Sequence, residues 1–207
     1  DSDSQMMEIA ENINLRLTAG CAGFASVLAN VLGFSRKNMN SLPKMPEKFL
    51  LICGSVNQKT LRQIEIAEKN GFKKFCLRTS QKLNPSWPES EDCKKFAEKI
   101  FSEIKNSHAI LTANDENEKN LTQEYIKTQN LNSEQIRLYI SRAITGAAKE
   151  LLNLGLESKL MCVGGDTLLA LMQAVKVYEL IPVCELEKGV VLTSFEYNEK
   201  KYFMMQK

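Results

Sequence analysis

Residues 49–60 read FLLICGSVNQKT, and residues 159–168 read KLMCVGGDTL. Each is a short apolar run that ends at glycine and passes directly into a helical pattern. Four or five apolar residues without polar alternation are what a strand buried on both faces requires. The pattern recurs between the two stretches. Thr60 to Asn70 predicts a helix closed by Gly71, and Phe72 to Leu77 a second strand. Ser86 and Glu89 have capping-box spacing with Pro88 in the first turn, opening a helix whose stripe is Phe96, Ile100 and Ile104. Ala109 to Ala113 is a third strand, followed by a polar segment from Asn114 to Leu131. Asn132 with Gln135 starts a further helix, lined by Ile136, Ile140, Ala143, Ala147 and Leu151 and ended by Gly155. Leu160 to Val163 is the fourth strand, and Asp166 to Lys176 a helix with Leu168, Leu171, Met172 and Val175 inward. Such alternation implies βαβ units, right-handed crossovers and an α/β three-layer sandwich around a mostly parallel sheet. Ile181 to Leu186, Val190 to Tyr197 and Lys201 to Met205, with turns at Lys188-Gly189 and Asn198-Glu199, predict antiparallel strands at the C-terminal edge. No internal repeat is visible.

Ahead of this pattern, residues 1–33 read as helical. Met6, Ile9, Ala10, Ile13 and Leu17 fall near a 3.6 period, and Phe24, Val27, Leu28, Val31 and Leu32 form a second stripe ended by Gly33. Ser35 to Lys48 (SRKNMNSLPKMPEK) is polar, carries two prolines and has no period, which marks a linker. The expected division is a helical segment with linker over 1–46 and a domain over 47–207.

The 207 residues are 43% hydrophobic, 7% aromatic and 25% charged, the proportions of a globular chain with a sizeable core. Lys and Arg number 27 against 25 Asp and Glu, a net charge of +2 spread along the chain, which gives no electrostatic case for nucleic acid or an anionic membrane. No apolar run approaches the ~20 residues that span a bilayer. Six cysteines are scattered with no CxxC pair, as expected of a reduced, cytoplasmic protein rather than a disulfide framework. One histidine, His108, leaves almost no material for a histidine-based zinc site or a Ser-His-Asp triad. No protein metal centre is expected.

In an open parallel sheet, ligands bind beyond the carboxyl ends of the strands. Two loops there stand out. Gly54-Ser55 follows FLLIC, offering a missing Cβ, a hydroxyl and the unpaired N–H groups of a helix start. Gly164-Gly165-Asp166-Thr167 follows LMCV. Its glycines let backbone approach an anion, Thr167 adds a hydroxyl, and Asp166 suits Mg²⁺ near a nucleotide's phosphates. The simpler reading makes Ser55 and Asp166 helix N-caps and the glycines turn formers. Neither loop is a Walker A or GxGxxG motif. Ala19 to Ala25 (AGCAGFA) fits close helix packing through small residues better than an anion site. His108 and Trp87 read as structural, NDENEK (114–119) as a solvated loop from which Asp115 reaches toward the site, and Met204 and Met205 as core and edge residues.

These residues resemble the C-terminal half of the four-carbon acid sugar kinase family, ATP-dependent kinases for threonate, erythronate and oxo-tetronate-type acids. The resemblance runs through nearly the whole chain. DSDSQMMEIAENINLRL resembles the helix near the end of that family's first, sugar-acid-binding domain, and AGCAGFASVLANVLG its small-residue helix. LLICGSVNQKTLRQIEIAEKNG resembles its strand, Gly-Ser turn and Gln-Ile helix, and KLMCVGGDTLLALMQAV its Gly-Gly-(Asp/Glu)-Thr element. The turn departs from the family's usual Cys-Ser at Val56-Asn57, and Lys207 aligns with the Lys of a Lys-Ser-Gly-x-Phe-Gly element. The resemblance implies that Ser55, Gly164, Gly165, Asp166 and Thr167 contact ATP; Gly54 is added from the loop argument. ATP and Mg²⁺ are the implied cofactors. The implied partner is a four-carbon acid sugar held by the missing N-terminal domain. The catalytic base is unassigned, this piece alone is expected to be inactive, and self-association stays open. The rival readings are an NAD(P)-binding oxidoreductase lobe, with Arg78 at a 2′-phosphate, and a non-catalytic ligand-sensing domain.

Overall fold

The computed structural model describes residues 3–13, 17–34, 42–55, 57–105, 107–187 and 189–206. Val56, Lys188, Lys207 and the first half of the expected linker lie outside them. The chain divides into two compact units, Asp1–Pro43 and Lys44–Lys207.

In the first unit, α1 (Asp3–Glu11) packs against α2 (Ala22–Val31). Helix α1 stops well short of the stripe read from the sequence: Leu17 lies outside any helix and is 89% exposed, and Ile9 is also exposed. A Cβ on Gly23 would meet the Met6 side chain at 3.8 Å, an ordinary contact, so the packing of α1 on α2 does not itself require glycine there.

The second unit runs β1 (Phe49–Cys53), α3 (Gln58–Lys69), β2 (Lys73–Cys76), α4 (Thr79–Lys82), α5 (Glu91–Glu103), β3 (Ala109–Thr112), α6 (Lys119–Thr128), α7 (Ser133–Asn153), β4 (Lys159–Val163), α8 (Gly165–Val175), β5 (Ile181–Glu187), β6 (Val190–Tyr197) and β7 (Lys200–Gln206). The strands form one seven-stranded sheet in the order β2-β3-β1-β4-β7-β6-β5. The pairs β2·β3, β1·β3, β1·β4 and β4·β7 are parallel, and β5·β6 and β6·β7 antiparallel. This is the expected α/β sheet with its antiparallel C-terminal edge. The last strand is not itself the edge, because β7 inserts beside β4; Met204 and Met205 are therefore both buried.

Alternate residues of the central strands serve opposite faces. Leu50, Ile52, Leu111, Leu160 and Cys162 pack with α5, α7 and α8 in the largest cluster. Cys53, Ile110 and Val163 pack with Ile64 and Ala67 of α3 on the other side. Each fully buried Leu or Ile contributes about 1.5–3 kcal/mol. The edges are blunted in different ways. Strand β2 exposes Lys73 and Lys74, while β5 carries Pro182 and two register shifts against β6. Asn198 and Glu199, at φ 49° and 60°, make the tight β6–β7 hairpin turn.

Three local expectations change. Ser90, not Ser86, caps α5 by accepting from the Cys93 N–H at 3.2 Å, because Trp87–Glu89 already forms a separate helical turn. The polar segment after β3 contains α6, which buries none of its own residues and so shows no apolar stripe. A short helix, α4, follows β2. The capping box of Asn132 and Gln135 on α7 is formed as read. Trp87 is buried, with Nε1 donating to Asp92 at 2.7 Å. His108 is structural, accepting from the Phe49 N–H at Nδ1 and stacking on Phe72. The six cysteines are all free thiols.

Candidate functional site

The register places Cys53, Thr112 and Val163 side by side at the carboxyl ends of β1, β3 and β4. The loops that follow therefore share one edge, and β1 is paired directly with β4. Gly54 and Thr167 are so close that a Cβ on Gly54 would lie 2.9 Å from the Thr167 hydroxyl. All six residues singled out from the sequence, Gly54, Ser55, Gly164, Gly165, Asp166 and Thr167, line one cavity of about 450 Å³. Its remaining walls are Val163 at the end of β4 and α7, through Ile136, Arg137, Ile140 and Ser141.

Neither Ser55 nor Asp166 is an N-cap. Asn57 caps α3, accepting from the Lys59 N–H at 2.9 Å, and Ser55 Oγ accepts from the Asn57 N–H at 3.2 Å. Gly164 occupies the cap position of α8 and makes no side-chain bond to the helix start. The first-turn N–H groups of α8 thus have no capping side chain, and the positive end of the helix faces the cavity. Gly165 and Asp166 are exposed there, whereas Thr167 is buried.

A second cavity of about 320 Å³ adjoins the first across Ile136 and Ile140, at the end of β3. Asn114 joins the two rims by donating from Nδ2 to the Ser55 carbonyl at 2.7 Å. Lys82, 4% exposed, lies at its base and donates from Nζ to the Ala113 carbonyl at 3.0 Å. Burial pushes this ammonium's pKa down, against the opposing pull of Glu118 and Asp115. Glu118 accepts from the Thr79 N–H, which holds its carboxyl below the ordinary range. The thiols beneath the loops are poor nucleophiles, since burial raises the pKa of both Cys53 and Cys76. A further cavity, about 780 Å³, lies at the amino-terminal edge of the sheet between residues 44–48 and Gly155. It is remote from the strand ends where α/β sheets bind ligands.

Sequence reasoning missed Arg137 and Ser141. The signal was their i, i+4 spacing beside Ile136 and Ile140, on a stretch that otherwise reads as the solvated face of α7. Arg137 makes no ion pair among the described residues. Arg78, by contrast, follows β2, which β3 separates from β1, so it is not beside the Gly54-Ser55 loop in the sheet.

Comparison with known families gives a match over residues 50–205 to the nucleotide-binding C-terminal domain. The chain belongs to this family. The curated proteins hold no match to it. Among solved structures, this nucleotide-binding domain is similar to a Haemophilus influenzae protein of the DUF1537 family, with a TM-score of 0.69 at 17% identity, covering 100% of this chain and 48% of that one. A provisional tRNA synthase of Salmonella typhimurium LT2 gives 0.72 at 13%, covering 100% and 47%. A DUF1537 domain of Bordetella bronchiseptica, solved with citrate as a domain-swapped dimer, gives 0.55 at 15%, covering 99% and 47%. At these identities the likeness concerns the fold. The nucleotide-binding domain with its first unit spans about half the length of the structures it matches. No described helix is long and apolar enough to cross a membrane.

Proposed function

We propose that this chain is the ATP-binding part of a kinase that phosphorylates a four-carbon acid sugar. The observation that carries the reading is the meeting of the Gly54-Ser55 and Gly164–Thr167 loops around one cavity at an uncapped helix start. Backbone N–H groups and a positive helix end suit phosphate oxygens, and the Arg137 guanidinium on the facing wall suits their remaining charge. Among the described residues no three acidic, histidine or cysteine side chains gather into a metal cage. Mg²⁺ carried on phosphates needs only one or two protein carboxylates, and Asp166 at the cavity fits that need. The sequence resemblance supplies the acceptor. Its hydroxyl oxygen attacks the γ-phosphorus as the bond to the β-phosphate oxygen breaks, and ADP leaves with that electron pair. No residue of this chain is assigned to the hydroxyl's proton. Positioning and charge stabilisation dominate phosphoryl transfer, so a separate domain for the acid is consistent with the reaction.

Thermal unfolding in parallel with Mg·ATP, Mg·ADP, NAD⁺ and NADPH tests the reading. A ligand at about 100 times its Kd stabilises by about 2.7 kcal/mol, a rise of roughly 5–11 °C for a domain of this size. The adenine nucleotides should give that rise, and Gly165→Val should abolish it while leaving the unliganded midpoint in place. A rise with NADPH alone, or none with either adenine nucleotide, rejects the proposal.

A further inference from the structure

We infer that the cavity of about 780 Å³ at the amino-terminal edge of the sheet binds an organic acid with an apolar body, its carboxylate held by Lys44 and Lys105. This site is separate from the nucleotide reading above and does not depend on it. Helices that return antiparallel to a parallel sheet leave their carboxyl ends, with unpaired carbonyls, at this edge. Lysines meet those carbonyls here. Lys48 donates from Nζ to the Lys105 carbonyl beyond α5, Lys73 to the Glu103 carbonyl at 2.8 Å, and Lys200 to the Gly155 carbonyl beyond α7 at 3.0 Å. Lys44 and Lys105 have no such duty. Among the described residues neither ammonium makes a hydrogen bond or an ion pair, and both residues are exposed on the cavity lining. Two ammoniums left over where the helix ends are already neutralised are the ground of the inference.

The lining decides the class of anion. Ile104 and Leu156 are buried there, and Phe101 and Met45 half-buried. A bare phosphate or acetate would leave this apolar surface facing water. Exposed ion pairs contribute little and are screened by salt, so most of the affinity must come from the apolar lining, while the lysines select the sign of the charge. Their own methylene stems extend the apolar surface. A cation is opposed, because four lysines line the cavity against Glu47 and Glu157, and Glu157 already lies 3.6 Å from Lys200. A highly charged anion is opposed in turn by those two carboxylates. The volume falls within the ~300–1,000 Å³ typical of small-molecule pockets.

Calorimetry on this chain compares decanoate with two probes that each change one property. Acetate keeps the charge and lacks the body, and decyltrimethylammonium keeps the body and reverses the charge. Decanoate should bind, and each of the others should bind about tenfold more weakly or worse. Lys44→Glu combined with Lys105→Glu should weaken decanoate about tenfold. Lys95→Glu combined with Lys127→Glu changes the net charge equally at exposed positions off the cavity, and should leave decanoate binding unchanged. A second measurement needs no variant: decanoate should slow reductive methylation of Lys44 and Lys105 but not of Lys95, read by peptide mass mapping. Saturating Mg·ATP should not displace decanoate, and displacement overturns the inference by putting the acid at the other edge of the sheet. It is equally overturned by equal binding of decanoate and decyltrimethylammonium, by an unaltered affinity in the Lys44/Lys105 variant, or by no binding of decanoate. Failure of Mg·ATP itself to bind rejects the nucleotide reading and leaves this site standing.

Discussion

Gly164 and Gly165 are adjacent glycines with different reasons to be there. Gly164 has φ 99°, a conformation that other residues rarely adopt, so its identity is set by the turn out of β4. Gly165 has no such demand, and a Cβ built on it meets nothing within 4 Å. The space above it is open to a ligand, which is why Gly165→Val is expected to spare the fold and cost the nucleotide. The doublet was legible in the sequence, but the separate roles were not, because they depend on a dihedral and an empty volume. A similar division applies to the thiols. Cys21 is exposed at the start of α2, where the N–H groups of Phe24 and Gly23 pull its pKa below the ordinary thiol value. Burial pushes Cys93 and Cys162 up to about 12. Since the thiolate is the nucleophile, iodoacetamide should modify Cys21 first on the folded chain, and that reaction should slow only as the pH falls through the lowered value. Peptide mass mapping reads the order, and Cys21→Ser should remove the fast phase. Early label at Cys93 or Cys162 contradicts the burial described.

Among the elements, α7 ties most of the fold together. It packs on α5, on α8 and on the turn at Trp87–Glu89. Its closest approach is at Gly146, where a Cβ would lie 2.6 Å from Pro88 Cβ and 3.0 Å from Pro88 Cα. In an open helix, Gly→Ala stabilises by up to about 1 kcal/mol. Here the added methyl must displace backbone, so Gly146→Ala is expected to destabilise by roughly 1–3 kcal/mol. Urea unfolding reads the sign directly, and a higher midpoint would mean that the Pro88 turn yields. Helix α7 was legible because its cap and buried stripe agree along 21 residues. Helix α6 was not, because it buries none of its residues and its Leu121 is 53% exposed. The Ser86–Glu89 spacing misled for a related reason. Two serines four residues apart both precede acidic residues, and only packing of Trp87 shows which one starts the helix.

At the scale of the whole molecule, alternation along the chain revealed the sheet but not its strand order. Local pattern cannot show that β3 inserts between β2 and β1, or that β7 returns beside β4. That order puts the Gly54-Ser55 and Gly164–Thr167 loops on adjacent strands. On the proposed reading it gives this chain a place for the ATP phosphates, which is half of what a kinase needs. Most of the rate gain in phosphoryl transfer comes from holding donor and acceptor together. The acceptor's site, on the proposed reading, belongs to the first domain, and the solved relatives are about twice this chain's length, which covers 48% of one of them. The chain supplied with Mg·ATP and threonate or erythronate should therefore show the nucleotide-dependent rise in melting temperature without acid-dependent release of ADP. Coupled ADP detection, with and without the acid, makes the comparison. Release that rises with acid concentration and saturates would put an acid site on this chain itself, and the division of labour between the two domains would have to be abandoned.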